Sequence, residues 1–354
     1  MTSARNAGRG PRRGGPVWSR SGRDAASIAR RLTPFVILAL TVAVASSQVP
    51  NFLTVSNLSN VARQSSFIAL IVLGQSLVLI YGGFDLSVGS LFALAGVLAA
   101  DGSHVAWPLA FVLPVAAGVA SGALNGYLIG RVKMAPFIVT LAELLGYSGL
   151  ALAITGQGNV VSVHGGTFFT SLASGTVLGV DNVTVTMVLA FVAGAVVLNR
   201  TRYGAALFAV GGNADSARML GVPVQRTVMV TYVISGALAA FAGALFAGFS
   251  ASGQPTVGSG YELQSIAAAV VGGCALTGGV GTVSGPLAGA LVLGVIQDFV
   301  NLDSQLNDYT QNIVYGVFIV VVVVLQKALL DRQQAMREAR ASHAEGAPLV
   351  PAAA

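Results

Sequence analysis

Five polar side chains stand where hydrocarbon-compatible residues would be expected: Gln75, Asp85, Asn125, Glu143 and Asp298, each inside or at the edge of a long apolar run. A carboxylate or amide so placed must be paired, capped or wet, because burying it bare in hydrocarbon is costly. Such groups fit the hydrogen bonding of a polar solute or the passage of an ion. Glu143, six residues inside its run, either lines an aqueous path or lies protonated against a neighbouring helix. Asp85, at the end of its run, either lines a path as a polar hinge or caps a helix within a short turn.

The chain lacks the constellations of several other chemistries. No Gly-x-x-x-x-Gly-Lys-(Ser/Thr) occurs, and neither lysine (Lys133, Lys327) follows a glycine, so the usual phosphate-cradling loop is missing. There is no His-Glu-x-x-His and no Cys-x-x-Cys. The three histidines, His104, His164 and His343, are scattered, and Cys274 is the lone cysteine. Catalytic residues, metal and cofactor are therefore not expected, nor is an enzyme.

The elements that must position these residues are transmembrane helices. Of 354 residues, 54% are hydrophobic and only 9% charged. A soluble domain carries roughly a quarter charged residues, and crossing a core of roughly 30 Å takes about 20 apolar residues. The expected architecture is all-α and polytopic, with about ten spans near 32–49, 63–81, 87–100, 108–130, 137–154, 183–199, 227–249, 263–275, 283–300 and 312–330. Some of these are short or broken. Residues 1–31 read as a disordered basic cytoplasmic tail, 32–330 as the membrane domain with a cytoplasmic loop at 200–226, and 331–354 as a second cytoplasmic tail. The stretch from Leu32 is read as an uncleaved first helix rather than a signal peptide.

Basic residues alternate with the spans. Arginines crowd the N-terminal segment, then come Arg131 and Lys133, next Arg200, Arg202, Arg218 and Arg226, and finally Lys327, Arg332, Arg337 and Arg340. By the positive-inside rule these segments and both termini are cytoplasmic. Arg63 alone falls near an outer end. The net charge of +6 is thus a topology signal and not a nucleic-acid footprint. Outer loops carry Asp101, Asp181, Glu262, Asp303 and Asp308.

Glycine patterning suggests how the spans pack. Gly118, Gly122, Gly126 and Gly130 form a ridge at four-residue spacing, and Gly281, Gly285 and Gly289 repeat it, as close helix contacts require. Asn125, beside the first ridge, is expected to join helices. A Gly-Gly-x-x-Leu-(Ser/Thr)-x-Gly pattern occurs at 82–89 and again at 272–279. Glycine-interrupted segments in corresponding halves point to a substrate route in transporters. In the first copy, Asp85 and Ser87 are natural N-caps for a helix beginning near Leu86. In the 200–226 loop, Asn213 as N-cap and Gly221 as stop bracket a short helix, with Ala214, Ala217 and Leu220 on its surface.

These segments resemble one family. Asn51-Phe52-Leu53-Thr54 with Asn57, Gly74-Gln75-Ser76-Leu77-Val78, Gly82 to Ser90, Ala135 to Leu141, Gly211 to Gly221, Gly260-Tyr261-Glu262-Leu263, Ile266-Ala267-Ala268 and Gly272-Gly273 together are similar to permease subunits of bacterial ATP-binding-cassette monosaccharide importers. The resemblance covers nearly everything from Val49 to about Leu325. It implies a bacterial inner-membrane permease, paired as a homodimer, working with ATP-binding-cassette ATPase subunits, an extracytoplasmic sugar-binding protein and membrane lipid. Residues 213–221, with Asn213, Ala214, Ala217, Arg218, Leu220 and Gly221, would be the helix docking on the ATPase. Substrate-path candidates are Gln75, Asp85, Ser87, Asn125, Phe137, Glu143, Gln254 and Tyr261. The chain departs from the family at Ser148, where an arginine is common, and in lacking an acidic residue after Val320-Val321-Val322-Val323-Val324. The alternative is an ion-coupled secondary transporter relaying ions through Asp85 or Glu143.

Overall fold

The computed structural model describes residues 20–302 together with 313–317, 320 and 324. Twelve helices account for most of it: α1 (Arg20–Gln48), α2 (Val55–Tyr81), α3 (Val88–Val105), α4 (Leu109–Gly130), α5 (Pro136–Ile154), α6 (Phe168–Ser174), α7 (Asn182–Arg200), α8 (Arg202–Gly212), α9 (Ala214–Met219), α10 (Val224–Ser250), α11 (Tyr261–Val271) and α12 (Ser284–Leu302). Two ladders of two residues per strand join the loops, β1 (Val161–Ser162) with β4 (Ser252–Gly253) and β2 (Thr176–Val177) with β3 (Val180–Asp181). The chain is otherwise helical among the described residues, as expected.

Seven of these helices are long and apolar enough to span a bilayer: α2, α3, α4, α5, α7, α10 and α12. These account for seven of the expected ten among the described residues. The apolar part of α1, Leu32–Gln48, falls just short of that length. Helix α11 has 11 residues, about 16 Å at 1.5 Å per residue, half of a roughly 30 Å core. The span expected at 312–330 lies mostly outside the described residues, as do all of residues 1–19 and 331–354. Helix α1 runs from Arg20, within the segment read as a tail, to Gln48.

Helix α2 is the axis of the fold. Thr54 caps its start by accepting from the Asn57 amide, and Gly82, at φ 94°, ends it in the left-handed region where glycine costs least. From Ser65 to Ile80 every side chain is buried, so the usual apolar stripe becomes a helix apolar on all sides. Helices α7, α8, α10, α11 and α12 surround it. Helices α5 and α7 are peripheral, leaving Leu145, Leu189, Val192 and Val196 exposed.

The first glycine ridge forms the tightest seam, against α10. A Cβ on Gly118 would strike the Gly236 carbonyl, one on Gly122 the Tyr232 carbonyl, and one on Gly126 would lie 2.6 Å from Met229 Cα. Backbones this close gain van der Waals contact where no hydrophobic effect operates. The second set splits. Gly285 and Gly289 abut Gly272 and Ala268 of the α11 region, while Gly281 precedes α12 and meets Ile80.

Two polar clamps hold the ends of these helices. Arg63 pairs with Asp181 at 3.4 Å, donates to Asn60, and lies 5.2 Å from the Phe249 ring. The one cation that broke the charge alternation is therefore engaged within the chain. Asn57 donates to the buried Asp298 Oδ2 at 2.7 Å and to the Phe52 carbonyl at 3.1 Å. That bond fastens the α1–α2 turn to α12, which explains Asn57 beside Phe52. Asn57→Leu should remove a charge-assisted bond and strand Asp298, costing about 1.5–3 kcal/mol. Thermal unfolding in detergent would register the loss, and an unchanged midpoint would refute the clamp.

Candidate functional site

The polar residues singled out from sequence converge around α2, α4, α5 and α10. Asp85 is buried, and one carboxylate oxygen accepts from the Ser87 hydroxyl at 2.6 Å and the Ser87 amide at 3.1 Å. Its other oxygen accepts from Ser235 of α10 at 2.9 Å. Helix α3 starts at Val88, and Ser87 makes no side-chain cap bond. The expected pair of N-caps for a helix from Leu86 is thus replaced by an aspartate that braces the break and ties it to α10. A carboxylate wholly buried here is not a simple exposed turn cap.

Glu143 and Asn125 lie together. Glu143 Oε2 accepts from Asn125 Nδ2 at 2.7 Å and from the Ser121 hydroxyl at 3.1 Å, joining α4 to α5 as expected for Asn125. Tyr147 stands one turn along α5, on the same side of the helix as Glu143. Four side chains retain buried unpartnered atoms among the described residues: Glu143 at Oε1, Asn125 at Oδ1, Gln75 at both amide atoms and Arg63 at Nε. Gln75 is one turn from Val78, whose side packs with Ile129, Val139 and Tyr232.

The remaining path candidates are dispersed. Phe137 is exposed at the start of α5, and Gln254 donates to Ser252 at 3.1 Å beside β4. Tyr261 stacks at 5.3 Å from Phe92. Among the described residues, none of these three shares a hydrogen bond or ring contact with the Glu143 cluster. Sequence reading missed Ser121, Tyr147, Tyr232 and Ser235. Ser121 and Tyr147 were findable, standing four residues from Asn125 and Glu143 on the same helix faces. Ser235 reaches Asp85 across 150 residues and carries no local signal.

The two interrupted segments meet one another. Gly82 and Gly278 are in van der Waals contact range, and Gly279 N donates to the Ile80 carbonyl at 2.8 Å. Their geometries differ: α3 follows six residues after α2, whereas α12 follows twelve residues after α11. Further along, the N-termini of α3 and α11 abut, with the Glu262 carboxylate against Gly89. Glu262, expected in an outer loop, instead sits at the positive start of a short helix. Broken helices whose N-termini converge inside the protein are the arrangement that transporters use at their substrate sites.

The 200–226 loop is more helical than expected. Helix α8 fills its first half, and α9 covers Ala214–Met219. Asn213 caps α9, its side chain accepting from the Ser216 amide at 2.8 Å, and Gly221 takes φ 81° beyond its end. Arg218 pairs with Asp215 at 3.2 Å on the exposed side. One expectation is corrected: Ala217 is buried, while Met219 and Leu220 are 89% and 83% exposed. Ala214 is half-buried. Residue 217 points back because 217 and 210 share the inward side of the α8–α9 pair, both buried. Immediately before α9, Gly211 lies against the Ile80 carbonyl and the Gly279 amide, with Gly212 beside Gly279. The loop helix is therefore connected through one residue, Asn213, to the point where the two interrupted segments touch.

Seven helices able to span a bilayer among the described residues, with interrupted segments and buried polar groups between them, define a polytopic membrane protein. The chain belongs to the permease family described as branched-chain amino acid transport system / permease component, whose family model matches residues 57–323. It is 38% identical over 303 residues to the ribose import permease protein of Bacillus subtilis (strain 168), covering 85% of this chain and 94% of that one. The ribose import permease protein of Escherichia coli (strain K12) is 36% identical over 82% of this chain and 91% of its own. The L-arabinose ABC transporter permease protein of Azospirillum brasilense is 34% identical over 86% and 88% respectively. No solved structure matches the chain.

Proposed function

We propose that this chain is the membrane-spanning permease subunit of an ATP-binding-cassette importer, translocating a monosaccharide handed over by an extracytoplasmic binding protein. The single observation that carries this is the similarity along more than four-fifths of the chain to permeases of ribose and arabinose importers. The geometry agrees with it. The chain has no phosphate loop, so energy must come from separate ATPase subunits. The alternation of basic residues supports an inner-membrane protein with both termini in the cytoplasm.

In this reading α9, with Asn213, Ala214, Arg218, Leu220 and Gly221, is the ATPase-facing helix. Met219 and Leu220 supply its apolar tip, and Ala217 anchors it from behind. Gln75, Asp85, Ser87, Asn125 and Glu143 form the polar interior along which a sugar exchanges hydrogen bonds. Phe137, Gln254 and Tyr261 are assigned to the approaches. ATP binding closes the ATPase pair, α9 moves with it, and Gly211 carries the displacement to the contact between residues 80–82 and 278–279. The permease works as a homodimer in lipid, with the exposed apolar faces of α5 and α7 available to the second copy or to acyl chains.

The alternative, an ion-coupled secondary transporter, is less favoured, because Asp85 and Glu143 have protein hydrogen-bond partners and the arabinose relative is an ABC transporter permease by name. Mass measurement in detergent tests the assembly: the tagged chain with its ATPase should give a complex of two permeases and two ATPase subunits. A chain that remains separate from the ATPase at micromolar concentrations would refute it.

A further inference from the structure

Two of the three histidines, far apart in the chain, meet on the face opposite α9. Helix α10 sets that separation, running from beside α9 at its start to β4 at its end. His104 stands in the last turn of α3 and His164 just past β1, both exposed, with ring centres 6.0 Å apart and ring planes at 61°. The backbone beneath them is held firmly. β1 pairs with β4, Val163 N donates to the Ala251 carbonyl at 3.0 Å, and His164 N donates to the Ser103 hydroxyl oxygen at 2.9 Å. His104 Nε2 lies 2.8 Å from the Ser162 carbonyl. A carbonyl only accepts, so Nε2 carries the proton, and in the neutral ring Nδ1 is the lone-pair nitrogen. Metal-ligating histidines donate their other ring N–H to a backbone carbonyl in this way, which fixes tautomer and ring direction. The His164 ring makes no hydrogen bond among the described residues, so it also keeps a nitrogen free. Two imidazoles on one zinc ion, each at about 2.0–2.1 Å, have ring centres roughly 5–6 Å apart. The pair already has that spacing.

We propose that His104 and His164 form a two-histidine site for a divalent transition-metal ion of the zinc or copper kind, which staples the end of α3 to the β1 segment. Imidazole suits zinc, copper and nickel, whereas Ca²⁺ and Mg²⁺ require oxygen ligands and are not held. No third His, Cys, Asp or Glu converges on the pair among the described residues, so solvent completes the coordination. Asp101, exposed one turn earlier on α3, adds negative charge on the same helix face. With two protein ligands the site fills and empties as the ion concentration changes, which makes it regulatory. The staple acts on α3, whose start abuts α11 at Gly89 and Glu262 and whose middle packs on β4 at Gly96 and Gly253. Fixing the far end of α3 to the β1–β4 ladder opposes its separation from α10 on this face and slows transport. That consequence rests on the importer reading above, whereas the site itself stands on the two rings and their backbone.

Titration calorimetry of the full-length chain in detergent, purified without a polyhistidine tag, tests the site with Zn²⁺ alone. It should show micromolar Zn²⁺ binding and none for Mg²⁺. His104→Ala and His164→Ala should each weaken Zn²⁺ binding at least tenfold, while His343→Ala should not. The one thiol, Cys274, is buried and does not compete. Both rings are exposed, so neither substitution opens a core, and an unchanged metal-free melting midpoint checks this. A second readout is local. Trp107, three residues past His104, packs on Phe168 with ring centres 5.0 Å apart. In a Trp18→Phe background, which leaves Trp107 as the one indole, Cu²⁺ should quench its fluorescence only while both histidines are present. Zn²⁺ affinity unchanged in both single variants, or lost in His343→Ala, would overturn the site. In proteoliposomes with the ATPase and binding protein, micromolar Zn²⁺ should slow uptake several-fold, and His164→Ala should remove that inhibition. A filled site with unaltered uptake would overturn the restraint on α3. Absence of ATP-driven uptake in metal-free buffer, with Zn²⁺ binding intact, would instead strike the importer reading alone.

Discussion

Gly211→Val is expected to lower ATP-driven uptake by up to about 100-fold while the ATPase still binds. A Cβ at this position would overlap the Ile80 carbonyl oxygen and lie 2.7 Å from the Gly279 amide. That amide already donates to the Ile80 carbonyl at 2.8 Å. The added volume must push α8 away from both interrupted segments at once. Overpacking at a tight contact costs about 1–3 kcal/mol, and a bias of that size between two states changes coupling by roughly 5–150-fold. The neighbouring residue is the control, because a Cβ on Gly212 meets nothing within 4 Å. Gly212→Ala should transport within about twofold of the unaltered chain, a difference of about 0.4 kcal/mol. Equal loss at both positions would indicate general damage, and normal uptake by Gly211→Val would remove Gly211 as the transmitting contact.

The second large effect belongs to the tip of α9. Met219 and Leu220 are 89% and 83% exposed at the end of a helix that is otherwise polar or packed inward. An apolar pair held out by a capped helix fits a pocket on a partner, and an anchor of that kind is worth about 2 kcal/mol or more when truncated. Met219→Asp/Leu220→Asp should weaken ATPase binding roughly 30-fold or more, since each 1.4 kcal/mol is tenfold. The permease itself should remain intact, because neither side chain packs in the core. Ala217→Glu is a different experiment. It places a charge at a buried position, so loss there would report on the folding of the loop and not on docking. Undiminished ATPase affinity in the double aspartate variant would refute α9 as the docking helix.

Much of this was readable from residues alone, and the failures have physical reasons. The apolar runs and the glycine ridge at 118–130 are local signals; the ridge packs closely on a helix as expected, though that the partner is α10 had no local signal. Asn213 and Gly221 bracket α9 because capping chemistry is local as well. The short helix α11 was expected among the spans because a helix that stops halfway has the same composition as one that crosses. Only the packing of Gly89 against Glu262 shows that α11 starts inside the protein. The inward side of Ala217 could not be read from a six-residue helix, whose facing is set by α8 and α10. Asp85 looked like a cap because its partner Ser235 is 150 residues away. The Glu143 cluster was half legible. Glu143 and Asn125 stood out as polar residues in apolar runs, but the sequence did not show that they bond each other, or that Ser121 joins them.

The central claim is that this chain imports a sugar using energy supplied by an ATPase. Uptake of labelled ribose or arabinose into proteoliposomes holding the chain, its ATPase and its binding protein tests that most directly. Accumulation should require ATP together with all three proteins, and an ion gradient imposed on the chain alone should give none. Gradient-driven uptake by the chain alone, or uptake indifferent to ATP in the full assembly, would contradict the account.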